Sequence, residues 1–122
     1  MIKEVITMKK IFDNKKVVLF DGGMGTMLQK GVLKDGELPE LLNITNPDAI
    51  LFVHKMYVDA GCDVVTTNTF GANRRKLKTS EKVNEVITKG VTTAKKSGAK
   101  YVALDIGPLG TMLKPYGDMD FN

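Results

Sequence analysis

Three short stretches of this 122-residue chain end an apolar, β-branched run in polar groups. "KVVLFDGG" ends in Asp21, Gly22 and Gly23; "CDVVTTNTF" ends in Asn68 and Thr69; "AKYVALDIGP" ends in Asp105 and Gly107. A glycine doublet bares backbone N–H groups, so a carboxylate can approach without meeting side chains. The aspartate before it can accept from an ammonium group. Each stretch also has a plainer reading. DGG alone is more often a turn, Asn68 and Thr69 can bond loop backbone, and Asp105 can tie down its neighbouring loop. Binding chemistry requires the three to meet.

Other residues narrow the options. A single cysteine, Cys62, excludes an intrachain disulfide and a cysteine-based zinc site within these residues. It opens a strand at the end remote from the expected site and reads as a small buried hydrophobe. The only histidine, His54, falls within an apolar helical stripe and reads as packing rather than catalysis. Neither GxGxxG nor a Walker loop is present, which argues against dinucleotides and nucleoside triphosphates. The net charge of +4 is spread over separated Lys and Arg groups with few aromatics among them. That pattern suits a solvated face better than a nucleic-acid surface. No apolar run reaches the roughly 18 residues of a membrane span, and the charged start is no secretory signal. A cytoplasmic location is expected.

Elements must position these groups. Residues 1–15 read as a charged lead-in, and 16–20 as a strand buried on both faces. "GTMLQKG" suits a short helix closed by Gly31. In "NPDAILFVHKMYVDAG", Asn46 caps, Pro47 fits the first turn and Asp48 complements the dipole. Ile50, Val53, His54, Tyr57 and Val58 form its stripe, with Gly61 as the stop. A strand over 62–70 follows, then a helix over 81–97 capped by Ser80, with Val83, Val86, Ile87, Val91 and Ala94 on one face. Gly90 weakens that helix by roughly 1 kcal/mol against Ala. A third strand covers 99–108, and "DMDF" reads as the opening turn of another helix. The order β-α-β-α-β predicts an α/β fold with a parallel sheet, whose ligands bind at the carboxyl ends of the strands. Three such strands leave an apolar edge uncovered, so a fragment that self-associates or joins a complementing chain is expected.

"LFDGGMGTMLQ", "LPELLNITNPDAILFVHKMYVDAGCDVVTTNTFGANRRKL" and "ALDIGPLGTMLKPYGDMDF", in this order, resemble the amino-terminal part of the homocysteine S-methyltransferase family, and its cobalamin-dependent branch most. The likeness covers 16–122. It implies the first three strands of a (β/α)8 TIM barrel, which typically needs about 250 residues. It also implies methyl transfer to homocysteine, giving methionine. In the family a zinc ion held by three cysteine thiolates activates the homocysteine sulfur. In the cobalamin branch the methyl comes from methylcobalamin, recharged by methyltetrahydrofolate through other modules. By this likeness Asp21, Gly22 and Gly23 hold the amino-acid end of homocysteine, while Asn68, Thr69, Asp105 and Gly107 line its pocket. The zinc ligands have no counterpart here, so the isolated chain is expected to be inactive.

Overall fold

Asn46, Pro47 and Asp48 start a helix as their chemistry dictates: the Asn46 side chain accepts the Ala49 N–H at 3.3 Å and Pro47 takes the first position. The computed structural model describes Ile11 and residues 17–121; the rest of the lead-in and Lys16 lie outside the described residues. In chain order the elements are α1 (Met24–Leu28), a 3-10 turn (Pro39–Leu41), α2 (Leu42–Thr45), α3 (Pro47–Asp59), β1 (Val64–Thr66), α4 (Arg74–Leu77), α5 (Glu81–Lys95) and β2 (Tyr101–Ala103). The result is an α/β fold, helices against a small parallel sheet.

β1 pairs with β2 in parallel, Val65 opposite Val102. On its other side Phe20 bridges Val64, the N–H groups of Asp63 and Val64 both reach the Leu19 carbonyl (2.8 and 3.1 Å), and the Asp21 N–H donates to the Val64 carbonyl at 3.0 Å. Two of the three predicted strands therefore form, as a parallel pair shorter than 62–70 and 99–108, while the first, 16–20, is reduced to an isolated bridge at Phe20. The first predicted strand is another matter. It was expected to be buried on both faces, yet Val17, Leu19 and Phe20 are 65%, 53% and 55% exposed. The reason is position: among the described residues the segment has one neighbour, β1, whereas β1 has two and buries Val64 and Val65.

The apolar stripe of α3 packs as its periodicity predicts. Ile50 and Val53 join Leu28 and Leu42 in the main core cluster, with Met24, Met27 and Tyr57 around it. His54 belongs to the same face and is fully buried, and neither ring nitrogen has a partner among the described residues. Burial lowers its pKa below the ordinary 6.5, against a smaller opposing pull from Asp21. An unfolded chain thus takes up this proton at higher pH than the folded one. Stability attributable to His54 is complete above about pH 6.5 and falls as pH drops below it. His54→Leu should remove that dependence and, by deleting two unpartnered polar atoms, stabilise by about 1 kcal/mol. Urea melts of both proteins between about pH 7 and pH 5 check it.

Two expectations about helix ends are corrected. Ser80 does not cap α5: it has helical backbone angles, and the Glu81 N–H turns instead to the Thr79 hydroxyl at 3.2 Å. "DMDF" starts no helix. The Met119 backbone accepts from Lys114 at 2.9 Å and donates to Met112 at 3.3 Å, so the groups a helix would use are committed to closing a loop. Gly90, expected as a weak point in α5, is buried against Asn43 and Thr69. A Cβ there would stand 2.8 Å from Asn43 Nδ2 and 2.9 Å from Thr69 Cγ2. Among the described residues no helix is long and apolar enough to cross a membrane.

Candidate functional site

Because the strands run parallel, their carboxyl ends open on one side, and a cleft of about 340 Å³ lies there. Gly22, Gly23, Asn68, Thr69 and Asp105 all line it. Among the described residues no acceptor takes the N–H of Gly22 or Gly23. The two glycines are bare for different reasons. A Cβ on Gly22 would fall 2.8 Å from Tyr57 Oη, which donates to the Gly23 carbonyl at 3.1 Å. Packing alone therefore demands glycine at 22. At 23 a Cβ would meet only Thr26, at 3.3 Å, so packing leaves that position much freer.

Asp21 sits beside the cleft and is not among its lining residues. Its Oδ2 accepts the Thr66 N–H at 3.0 Å and its Oδ1 accepts the Thr66 hydroxyl at 2.9 Å. The carboxylate expected to meet an ammonium group is engaged in joining the first strand end to β1. That bond fixes the direction from which Gly22 and Gly23 enter the cleft.

Thr67 and Thr69 clasp the third strand end. The Asp105 N–H donates to Thr67 Oγ1 at 3.1 Å, and Thr69 Oγ1 donates to the Asp105 carbonyl at 2.7 Å. The two hydroxyl oxygens are 2.6 Å apart. Since the Thr69 proton is on the carbonyl, Thr67 must be the donor between them. Both polar groups of the Asp105 peptide are held, while its carboxylate accepts no hydrogen bond among the described residues. Thr69→Val keeps the shape but strands the Thr67 proton and the Asp105 carbonyl. A loss of about 2 kcal/mol is expected, measured by urea melts.

Asn68 serves the wall of the cleft. Its Nδ2 donates to the Pro39 carbonyl at 2.8 Å and to Asn43 Oδ1 at 2.9 Å. Asn43, fully buried, returns Nδ2 bonds to the carbonyls of Asn68 (2.7 Å) and Val86 (3.1 Å). Sequence reasoning passed over Asn43 and also Glu40, a lining residue whose Oε1 accepts the Gly71 N–H at 2.6 Å. The available signal was two polar residues three apart inside "LPELLNI", a spacing that puts both on one side of a helical turn.

Cys62 is half-buried. Burial, then the charges of Asp21 and Asp63, raise its thiol pKa, which makes it a poorer nucleophile. Among the described residues no group of three or more His, Cys, Asp or Glu could hold a metal ion.

Comparison with known proteins gives these strand ends a context. A family model described as homocysteine S-methyltransferase matches residues 18–122. The chain is 32% identical over 124 aligned positions to the methionine synthase of Mycobacterium leprae (strain TN). It is 31% identical over 125 to the methionine synthase of Mycobacterium tuberculosis (strain ATCC 25618 / H37Rv). Each match covers 88% of this chain and 10% of the relative, so the chain spans about a tenth of their length. Among solved structures, the metallated form of the homocysteine methyltransferase MmuM from Escherichia coli superposes with a TM-score of 0.74 at 24% identity, covering 84% of this chain and 41% of that one. The oxidised form of the same enzyme gives 0.71 at 23%. At such identities the likeness shows a shared fold.

Proposed function

This chain belongs to the homocysteine S-methyltransferase family, and on that premise we propose that its strand-end cleft holds the amino-acid end of homocysteine for methyl transfer to the sulfur, giving methionine. The observation that carries the proposal is convergence: residues that follow the Phe20 bridge, β1 and β2 line one cleft. The N–H groups of Gly22 and Gly23 receive the substrate carboxylate, since they lack other acceptors and neither residue carries a side chain of its own. Asp21 holds that strand end in place through Thr66. Asn68, Thr69 and Asp105 line the same cleft. On this reading, residues 16–122 are the strand 1–3 portion of a homocysteine-binding (β/α)8 domain, preceded by the lead-in at 1–15, in a cytoplasmic protein.

The residues present do not fit a zinc site. One half-buried cysteine cannot supply three thiolates, and the one histidine is fully buried on the apolar face of α3. Zinc, on the proposal, is held by residues other than these, and cobalamin and methyltetrahydrofolate act through other modules. The purified chain should accordingly bind no stoichiometric zinc and transfer no methyl group. Elemental analysis and a methionine assay check this, and measurable turnover would overturn the division of labour.

Binding itself is tested by titrating homocysteine into the ¹⁵N-labelled chain. Shifts concentrated at Gly22 and Gly23 are the expected result; shifts absent there, or scattered over remote surfaces, would overturn the proposal.

A second reading is favoured by the exposed apolar side chains at both sides of the sheet, among them Val17, Phe20, Leu104 and Ile106. Such surface suits a non-catalytic piece that completes a split barrel with another chain or self-associates. Sedimentation of the chain alone and with a candidate partner distinguishes the two.

A further inference from the structure

The glycine doublet is held at both ends, and the second hold comes from a side chain outside the cleft. On one side Asp21 donates its N–H to the Val64 carbonyl and meets Thr66 through both carboxylate oxygens. On the other, the Tyr57 hydroxyl donates to the Gly23 carbonyl at 3.1 Å. Gly23 is the N-cap of α1, where it supplies no side-chain bond, and five residues are too few for a helix to fix itself. Its angles, φ −64° and ψ 123°, are open to any residue, so glycine there adds a freedom that the fold does not require. Tyr57 restrains that freedom. Its ring packs against the core cluster of Leu28, Leu42, Ile50 and Val53, while its hydroxyl reaches the doublet. Tyr57 does not line the cleft; it borders a separate hollow with Asp21 and Cys62, and among the described residues Gly22 faces both spaces.

We propose that Tyr57 is a positioning residue for the substrate carboxylate: its hydroxyl holds the Gly23 carbonyl out of the cleft and so keeps the N–H groups of the doublet facing in. The inference rests on the homocysteine reading and adds to it the side chain that keeps the two donors aligned. Each peptide group is planar, so fixing the Gly23 carbonyl fixes a whole peptide plane and limits how far the one before it can turn. A carbonyl that swung into the cleft would set its negative end against the carboxylate. A glycine pair left free would also have to be ordered at each binding event, an entropy loss that a bond already in place removes. The Tyr57 hydroxyl does not itself reach the cleft, so its influence passes through the doublet and is confined to the carboxylate end of the ligand.

The test pairs homocysteine with 3-aminopropane-1-thiol, which keeps the thiol and the ammonium group and lacks the carboxylate. Both are titrated into the full chain and into Tyr57→Phe, which retains the ring and deletes the hydroxyl. Tyr57→Phe should bind homocysteine about three- to tenfold more weakly, the range for one hydrogen bond, and the aminothiol as tightly as the wild type does. A merely structural hydroxyl would weaken both ligands alike. That result, or an unchanged affinity for homocysteine, overturns the role of Tyr57 and leaves the homocysteine reading standing. A wild type that binds homocysteine no better than the aminothiol overturns both. Should Tyr57→Phe not fold, the wild-type Gly23 carbonyl decides: a ¹³C shift with homocysteine and none with the aminothiol supports the coupling, and equal shifts with both overturn it.

Discussion

Asn43→Ala lowers the stability of the chain by about 3–5 kcal/mol, the largest single-residue effect expected here. Asn43 is fully buried and makes three hydrogen bonds, donating to the carbonyls of Asn68 and Val86 and accepting from Asn68 Nδ2. Truncation leaves two buried carbonyls without this donor and one amide short of an acceptor, each costing about 1–3 kcal/mol. The packing loss is small because the side chain is small. Asn43→Asp is a sharper probe, being nearly isosteric: it turns an oxygen toward the two carbonyls that the amide nitrogen now serves, so it should be at least as damaging. Equilibrium urea unfolding measures both. The effect extends to the cleft, since Asn43 and Pro39 together hold the Asn68 side chain. Amide resonances of Asn68 and Thr69 should broaden or shift in any variant that still folds. A loss below about 1 kcal/mol for Asn43→Ala would overturn this account.

Gly90 is the second case, and here secondary-structure propensity and tertiary contact have opposite signs. In an exposed helix Gly→Ala gains about 1 kcal/mol. In α5 the added methyl would fall 2.8 Å from Asn43 Nδ2 and 2.9 Å from Thr69 Cγ2, closer than real Cβ contacts come. Neither neighbour can withdraw easily. Asn43 is tied by its three bonds, and the Thr69 hydroxyl lies between Thr67 and Asp105. Overpacking of a well-filled site costs about 1–3 kcal/mol, so Gly90→Ala should lose about 1–2 kcal/mol net and Gly90→Val about 3 or more. Thermal or urea melts give the sign directly; a stabilised Gly90→Ala would show that α5 does not approach α2 this closely. A double variant adds a check. With Asn43 already alanine, the nearest obstacle is gone, and the Gly90→Ala penalty should shrink by about 1 kcal/mol, a coupling of the size expected for residues in contact.

These two positions show what sequence reading can reach. The helix beginning at Asn46 was legible because its cap, first-turn proline and apolar stripe are all neighbours along the chain, and each is present in α3. The parallel pairing of β1 with β2 was legible because a helix of that length between short apolar runs leaves few other connections. Gly90 was misread for the same reason that Asn46 was read correctly: propensity is a local property, and the need for glycine there comes from Asn43 and Thr69. Likewise Ser80 has a suitable side chain for a cap, yet its backbone already has helical angles, its side chain makes no capping bond, and the Glu81 N–H goes to Thr79. The apolar "VVLF" run was expected to be buried on the strength of its composition, but burial depends on what lies on either side, and composition carries no such information.

For the candidate site the boundary runs in the same place. The sequence alone determined the two main helices and the parallel pair they join, the places where apolar runs end in Asp21–Gly23, Asn68–Thr69 and Asp105, and, through the succession of those motifs, the family. Tertiary structure alone decided what each group does at the strand ends. It gave Asp21 to Thr66, 45 positions away, brought the Glu40 carboxylate to Gly71 across 31 positions, and joined Asn43 to Asn68 across 25. Caps, periodicity and turn chemistry act over a few residues and leave their mark in the local pattern. A buried polar group takes whichever partner the packed chain delivers, and that partner is specified by the whole fold.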